Sequence, residues 1–252
     1  MQITWIGHAT VLLELDGVRL LTDPVLRPRV THLRRTGIAD TTKLGRLDAA
    51  LISHVHYDHL DVASLRSLGP TRTIVPAGAG KALRRRGFDD VVELAEDEEL
   101  QLGGVTVRAT HAVHHARRIL GRVVPAIGYL VSGSSRTYFA GDTGVFDGMR
   151  ALSPDLDVAL LPVAGWGPRV PEGHLDPARA AHALTLLRPR VAVPIHWGTY
   201  RRIGLGGADA ATLREPAETF ARLAEATTPD VDVRILEPGQ ATDVPMREDV
   251  PA

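Results

Sequence analysis

Apolar residues open the chain in short, nearly unbroken runs. Residues 3–6, 11–15 and 18–22 read as three strands, the last two joined by a tight turn at Asp16-Gly17. A long, polar, arginine-bearing connection follows over residues 24–47, and connections of that length inside a domain are commonly functional. Residues 49–53 read as a buried strand that runs directly into His54-Val55-His56-Tyr57-Asp58-His59. Asp61 then supplies an N-cap for a helix reaching Leu68, where Gly69-Pro70 ends it.

Beyond that point strands and helices alternate. Strands are expected over 73–75, 91–94 and 105–110, with a helix over 79–86 between the first two. The third strand delivers His111, His114 and His115. Residues 126–131 and 136–140 pair as a hairpin around Gly133-Ser134, and Gly141-Asp142-Thr143-Gly144 closes its second strand. A strand over 157–162 precedes Asp176-Pro177, an N-cap followed by proline at the first helical position. Residues 191–195 form a strand ending at His196. Glu215-Pro216 opens the last helix, whose Ala217, Phe220, Ala221 and Ala224 share one face. A final strand spans 231–236.

The order is strands first, then strand–helix alternation, then the same again. Each half therefore reads as a sheet with helices on one side, and two facing halves give an α/β (α+β) four-layer αββα sandwich. No linker divides the chain, so one domain is expected over 1–240, with a frayed tail over 241–252.

Composition narrows the chemistry. The 252 residues contain no cysteine, which removes disulfides, thiolate metal sites and a cysteine nucleophile. Any metal must be held by His, Asp or Glu. Lys+Arg 29 against Asp+Glu 30 gives a net charge of −1, so no nucleic-acid partner is expected. No stretch is long and apolar enough to span a bilayer, and no targeting segment is visible. The expectation is a cytoplasmic protein without membrane insertion, acting on a small-molecule substrate, with a homo-oligomer left open.

The strongest chemical signal is His54-x-His56-x-Asp58-His59. On extended backbone, residues i and i+2 point the same way, so His54 and His56 can grip one ion, and the following turn aims Asp58 and His59 nearby. Imidazole and carboxylate suit Zn²⁺ best, with Mn²⁺ or Fe²⁺ as alternatives. Further ligands should come from other strand ends: His114, with His111 and His115 as competitors, then Asp142, whose two oxygens can bridge two ions, and His196.

Gly7-His8-Ala9-Thr10, Thr22-Asp23-Pro24, the Ser53–Asp61 run, Gly141-Asp142-Thr143-Gly144 and Pro194-Ile195-His196-Trp197-Gly198 together resemble the metallo-β-lactamase fold superfamily. They are most similar to the branch containing L-ascorbate 6-phosphate lactonase and N-acyl-phosphatidylethanolamine-hydrolysing phospholipase D. The resemblance implies a site for two divalent metal ions. One would sit on His54, His56 and His114, the other on Asp58, His59 and His196, with Asp142 bridging. The family usually offers a single histidine in a short Pro-x-x-His context, and His111-Ala112-Val113-His114-His115 departs from that pattern.

Such a centre would hold a bridging hydroxide to attack a carbonyl carbon or phosphorus, and Asp58 would orient it or take its proton. His174, just before a helix, is a candidate substrate-facing proton donor. His8 and Asp23, at early strand ends, are candidates for fixing ligand orientation. Arg117 and Arg118 are candidates for binding a phosphate or carboxylate, while His32 and His182 read as surface or packing residues. The expected activity is hydrolysis of a small-metabolite ester, lactone or phosphate ester. The rivals are a phosphodiesterase on phospholipid or nucleic acid, and a non-catalytic metal-binding regulator.

Overall fold

Strand periodicity sorts the first sheet's residues onto two faces. In β1 (Gln2–Gly7), β2 (Thr10–Leu15) and β3 (Val18–Thr22), the side chains of Ile3, Trp5, Val11, Leu13 and Leu20 enter the central core. Ile6, Leu12 and Leu21 face the other way and pack with Leu44 and Leu47 of the long connection. Both faces are covered, which is why the runs lack a polar alternate. The computed structural model describes residues 1–115, 117–119, 122–165, 170–204 and 210–245.

Within the long connection lie two short strands, β4 (Arg29–Val30) and β5 (Leu33–Arg35). The chain continues through β6 (Ala49–Leu51), α1 (Val62–Ser67), β7 (Arg72–Pro76), α2 (Gly80–Arg84) and β8 (Val91–Leu94). The second half contains β9 (Glu99–Leu102), β10 (Val105–His111), β11 (Arg117–Ile119), β12 (Arg122–Val124), β13 (Ile127–Ser132), β14 (Arg136–Phe139), α3 (Met149–Leu152) and β15 (Val158–Pro162). It closes with α4 (Pro177–Leu187), β16 (Val191–Ile195), β17 (Tyr200–Arg202), α5 (Ala210–Thr227), β18 (Asp232–Val233) and β19 (Ala241–Asp243).

Two seven-stranded sheets result, ordered β19-β1-β2-β3-β6-β7-β8 and β18-β16-β15-β14-β13-β10-β9. Each is antiparallel on one side and parallel on the other. The first sheet's outer face is covered by α1 and α2 through Leu65, Ala79 and Leu83. The second sheet's outer face meets α4 and α5 through Ala180, Leu184, Ala217 and Phe220. The architecture is thus the four-layer αββα sandwich.

Three expectations need correction. The last helix begins at Ala210 rather than Glu215, and Pro216 lies inside it. Proline there forfeits one backbone hydrogen bond, but Ala217, Phe220 and Ala224 are fully buried and hold the helix down. The expected final strand shrinks to Asp232–Val233. The tail is ordered past 240: β19 pairs with β1, Ile3 opposite Thr242, and Val244 is buried, while residues 246–252 lie outside the described residues.

The expected polar connection also does more than link. β4 and β5 join β17 in a three-stranded sheet, packed through Val25, Val30, Leu33 and Tyr200. Among the described residues, no helix is long and apolar enough to cross a membrane.

Candidate metal centre

Strand ends from both sheets meet on one rim of the sandwich. His8 immediately follows β1, Asp23 follows β3 and His196 follows β16, and all three adopt left-handed backbone, with φ of 56°, 32° and 62°. That conformation is uncommon outside glycine and costs energy, so its recurrence at three strand ends marks a site held under constraint. The His196 N–H donates to the His8 carbonyl at 2.9 Å, which ties the two sheets together here. Beneath them the Trp5 and Trp197 rings stack with centroids 4.7 Å apart.

Glycine is required at Gly141. It sits at φ 59°, and a Cβ there would meet the Ser53 Cβ at 2.5 Å. This close approach brings Asp142, at the end of β14, beside the histidines that follow β6.

The histidine loop folds as a turn, with the His59 and Leu60 N–H groups donating to the His56 carbonyl. His54, His56 and His114 present ring nitrogens within 4.8 Å of one another. His54 Nε2 and His114 Nε2 lie 2.9 and 3.1 Å from His56 Nδ1. A second group, also within 4.8 Å, joins Asp58, His59 and His196 with His8. Asp142 stands between the groups: its Oδ2 is 4.0 Å from His54 Nε2 and 3.3 Å from His59 Nε2, and its Oδ1 is 3.5 Å from His196 Nε2.

The hydrogen-bond network around this cluster assigns the ring tautomers. Asp23 accepts from the Ser53 N–H at 2.7 Å and from its hydroxyl at 2.6 Å. The Ser53 hydroxyl proton is therefore committed, so His54 Nδ1, 3.0 Å away, donates to Oγ and its Nε2 carries a lone pair. Asp23 Oδ2 also faces His59 Nδ1 at 2.7 Å. His114 Nδ1 donates to the Gly173 carbonyl at 2.7 Å, leaving a lone pair on its Nε2.

The lone pairs of His54 and His114 thus converge on His56 Nδ1, and one proton cannot satisfy both. His59 Nε2 is buried without a hydrogen-bond partner among the described residues. A set of inward-facing imidazole nitrogens and carboxylates, with the outer nitrogens of His54, His59 and His114 already engaged, fits divalent cations.

Electrostatics agrees with that fit. Burial, then the neighbouring His59, hold the His54 imidazole well below its ordinary value. Burial, then His196, lower His8 to about 3. Burial pushes the Asp58 and Asp142 carboxyls up, but the facing imidazoles, led by His59 and His196 respectively, outweigh it and keep both well below the usual carboxylate range. Burial also opposes charge on His59, yet Asp142, Asp58 and Asp23 raise its proton affinity well above normal. This spot draws positive charge.

Of the three competing histidines, only His114 reaches the cluster. His111 pairs with Glu96 at 2.9 Å on the surface, and the exposed His115 ring lies 6.1 Å from that of His114. His174 lines the open side, its Nε2 3.7 Å from Asp142 Oδ2. His8 lies 3.5 Å from Asp58 Oδ2, inside the second donor group rather than behind it. Arg117 and Arg118 fall on β11, and their side chains lie outside the described residues. His182 is exposed on α4. His32, expected at the surface or in packing, lines the cleft above the cluster.

Sequence places Ser53 at the head of the histidine run but gives it no role of its own. A serine in that place carries no pattern of its own, because its partner Asp23 sits on another strand.

A family model, the beta-lactamase superfamily domain, matches residues 18–197. The chain belongs to the metallo-β-lactamase superfamily. A metal-dependent hydrolase of Methanopyrus kandleri is 32% identical over 250 residues, covering 96% of this chain and 99% of that one. An N-acyl-phosphatidylethanolamine-hydrolyzing phospholipase D of Caenorhabditis elegans is 34% identical over 226 residues, 78% of this chain and 64% of that one. Among solved structures, Igni18, a metallo hydrolase from Ignicoccus hospitalis, superposes with a TM-score of 0.73 at 25% identity, over 96% of this chain and 97% of that one. This superfamily member is a metal-dependent hydrolase, and the gathered His and Asp side chains are its candidate metal centre.

Proposed function

We propose that this superfamily member holds two divalent cations, zinc by donor preference, and hydrolyses an ester, lactone or phosphate-ester bond in a small metabolite. The position of Asp142 carries the reading: one carboxylate faces both donor groups, as a residue shared by two ions must. His54, His56 and His114 would hold one ion; Asp58, His59 and His196 would hold the other, with Asp142 between them. Bound divalent ions supply Lewis acidity, activating water and neutralising charge on the substrate oxygen.

The chain's own residues do the rest. Asp58, whose carboxyl stays ionised in the buried cluster, is placed to accept a proton from the attacking water. His174, on the open side of the cluster, is placed to give a proton to the leaving group. Asp23, through Ser53 and directly, holds the rings of His54 and His59 in the tautomer that ligation needs.

The similarity to a phospholipase D favours a second reading, a phosphodiester bond in a lipid. One experiment separates these. Metal analysis of the purified protein is followed by a panel of model esters, lactones, phosphodiesters and N-acyl-phosphatidylethanolamine vesicles. The proposal expects metal-dependent turnover of small substrates, abolished together with metal content in His54→Ala. Turnover of the vesicles alone favours the second reading. Full metal loading without turnover of any substrate means a binding protein, and full metal content in His54→Ala refutes the ligand assignment.

A further inference from the structure

We propose that Arg202 is an anion-recognition residue beside this centre, and that the substrate carries a carboxylate or phosphate group in addition to the bond that is cut. The proposal rests on the hydrolase reading above and names the substrate's chemistry.

The small sheet of β4, β5 and β17 forms one wall of the cleft. Its register sets which side chains face inward, because residues directly opposite in an antiparallel pair share a face. Tyr200 pairs with Arg35 and Arg202 with Leu33, while Arg201 pairs with Arg34 between them. Tyr200, Arg35 and Leu33 are buried, and Arg202, itself exposed at the end of the strand, shares their side of the sheet by alternation and register. That face looks at the metal cluster: the Tyr200 ring meets His8 edge-on at 5.5 Å, and His8 adjoins Asp58. Arg202 therefore lines the same cleft as His56, Asp58, Asp142 and His174.

Among the described residues its guanidinium is uncommitted. Arg35, on the same face, spends its donors on the Ile6 and Val25 carbonyls. Arg27 is held by Asp61 at 2.6 Å. The Arg202 side chain makes no ion pair or hydrogen bond with any other described residue, although it borders the cleft. A two-residue turn at Thr31-His32 brings His32 to the same wall, and the Ile203 N–H donates to the His32 carbonyl at 2.8 Å, which fixes β17 against it.

The charge balance gives the sign of the ligand. Among the described residues, Asp58 and Asp142 are the only acidic ones lining the cleft, and both lie at its floor among the candidate ligands. Two bound dications over two carboxylates would leave that floor positive, and Arg202 adds a further charge at the mouth. A guanidinium matches carboxylate and phosphate alike, through paired N–H···O bonds. The cleft measures about 210 Å³, below the roughly 300–1,000 Å³ of sites that hold drug-sized ligands, which suits a small organic anion.

The test uses the metal-loaded protein with Arg202→Gln and Arg202→Lys. 4-Nitrophenyl butyrate and mono(4-nitrophenyl) glutarate form a matched pair, differing chiefly by a terminal carboxylate. The ratio of their kcat/KM values should favour the acid in the parent protein. It should fall roughly tenfold in Arg202→Gln, through KM, and recover in part in Arg202→Lys; tenfold is the least that losing one charge-assisted pair implies.

Calorimetric titration with succinate and with inorganic phosphate reads the same site without turnover. The anion whose affinity drops more in Arg202→Gln identifies carboxylate or phosphate as the natural group. If neither ester is cleaved, the panel of lactones and phosphodiesters decides the hydrolase reading, while the titration still tests Arg202. Unchanged affinities for both anions in Arg202→Gln, at unchanged metal content, overturn the proposal.

Discussion

His59 is held at one end, with Nδ1 2.7 Å from Asp23 Oδ2, while the other ring nitrogen, Nε2, faces Asp142 Oδ2 at 3.3 Å. Asp23→Asn keeps the shape but replaces the acceptor that commits the His59 ring and, through Ser53, that of His54. Metal affinity should fall about 10- to 100-fold, read by competition with a chromophoric chelator, whereas an unchanged affinity would show that Asp23 serves packing alone. His174→Ala separates ligation from proton transfer, since it should retain metal while kcat falls about 10²–10⁴-fold. Loss of metal in that variant would move His174 into the ligand set. Sequence shows the residues of the His54–His59 run because six consecutive positions supply four donors. It leaves His111, His114 and His115 in competition, because only the fold turns His111 outward to Glu96. It does not reveal Arg202 at all, since the register with Leu33 that turns it inward pairs distant parts of the chain.

Helix α1 is only six residues long, so its N-terminus depends on Asp61. The Asp61 carboxylate accepts from the Ser64 N–H at 3.1 Å, from its hydroxyl at 2.6 Å, and from Arg27 at 2.8 and 2.6 Å, which pins the long connection to the helix that follows the histidine run. Asp61→Ala should cost about 1 kcal/mol from the lost cap, measured by urea unfolding. Burial raises the Asp61 carboxyl, but Arg27 and Ser64 outweigh it and leave the group below its ordinary value. Its contribution is therefore complete above the unfolded value, near 3.9. It is lost as pH falls through the lower folded one. The parent and Asp61→Ala stabilities should converge on acidification, and a constant gap would contradict this account. The long strands are legible from alternation, and α1 and α4 from Asp61 and Asp176-Pro177. β4, β5, β17 and β19 have two or three residues each and owe their existence to pairing across the chain, which local pattern does not encode.

At the level of the whole molecule, the candidate centre is where the two sheets share a rim. His8, Asp23 and the histidine loop come from the first sheet, while His114, Asp142 and His196 come from the second. The doubled order of strands and helices makes the sandwich readable from sequence. The constrained backbone at His8, Asp23 and His196 is not readable, since a left-handed residue leaves no mark in hydropathy. The central claim is that donors from both halves form one paired-cation site. Anomalous diffraction at the absorption edge of the metal found in the purified protein tests it most directly. The account predicts two peaks about 3.5–4 Å apart, one against His54, His56 and His114, the other against Asp58, His59 and His196, with Asp142 touching both. A single peak at full loading, or peaks away from these side chains, would contradict it.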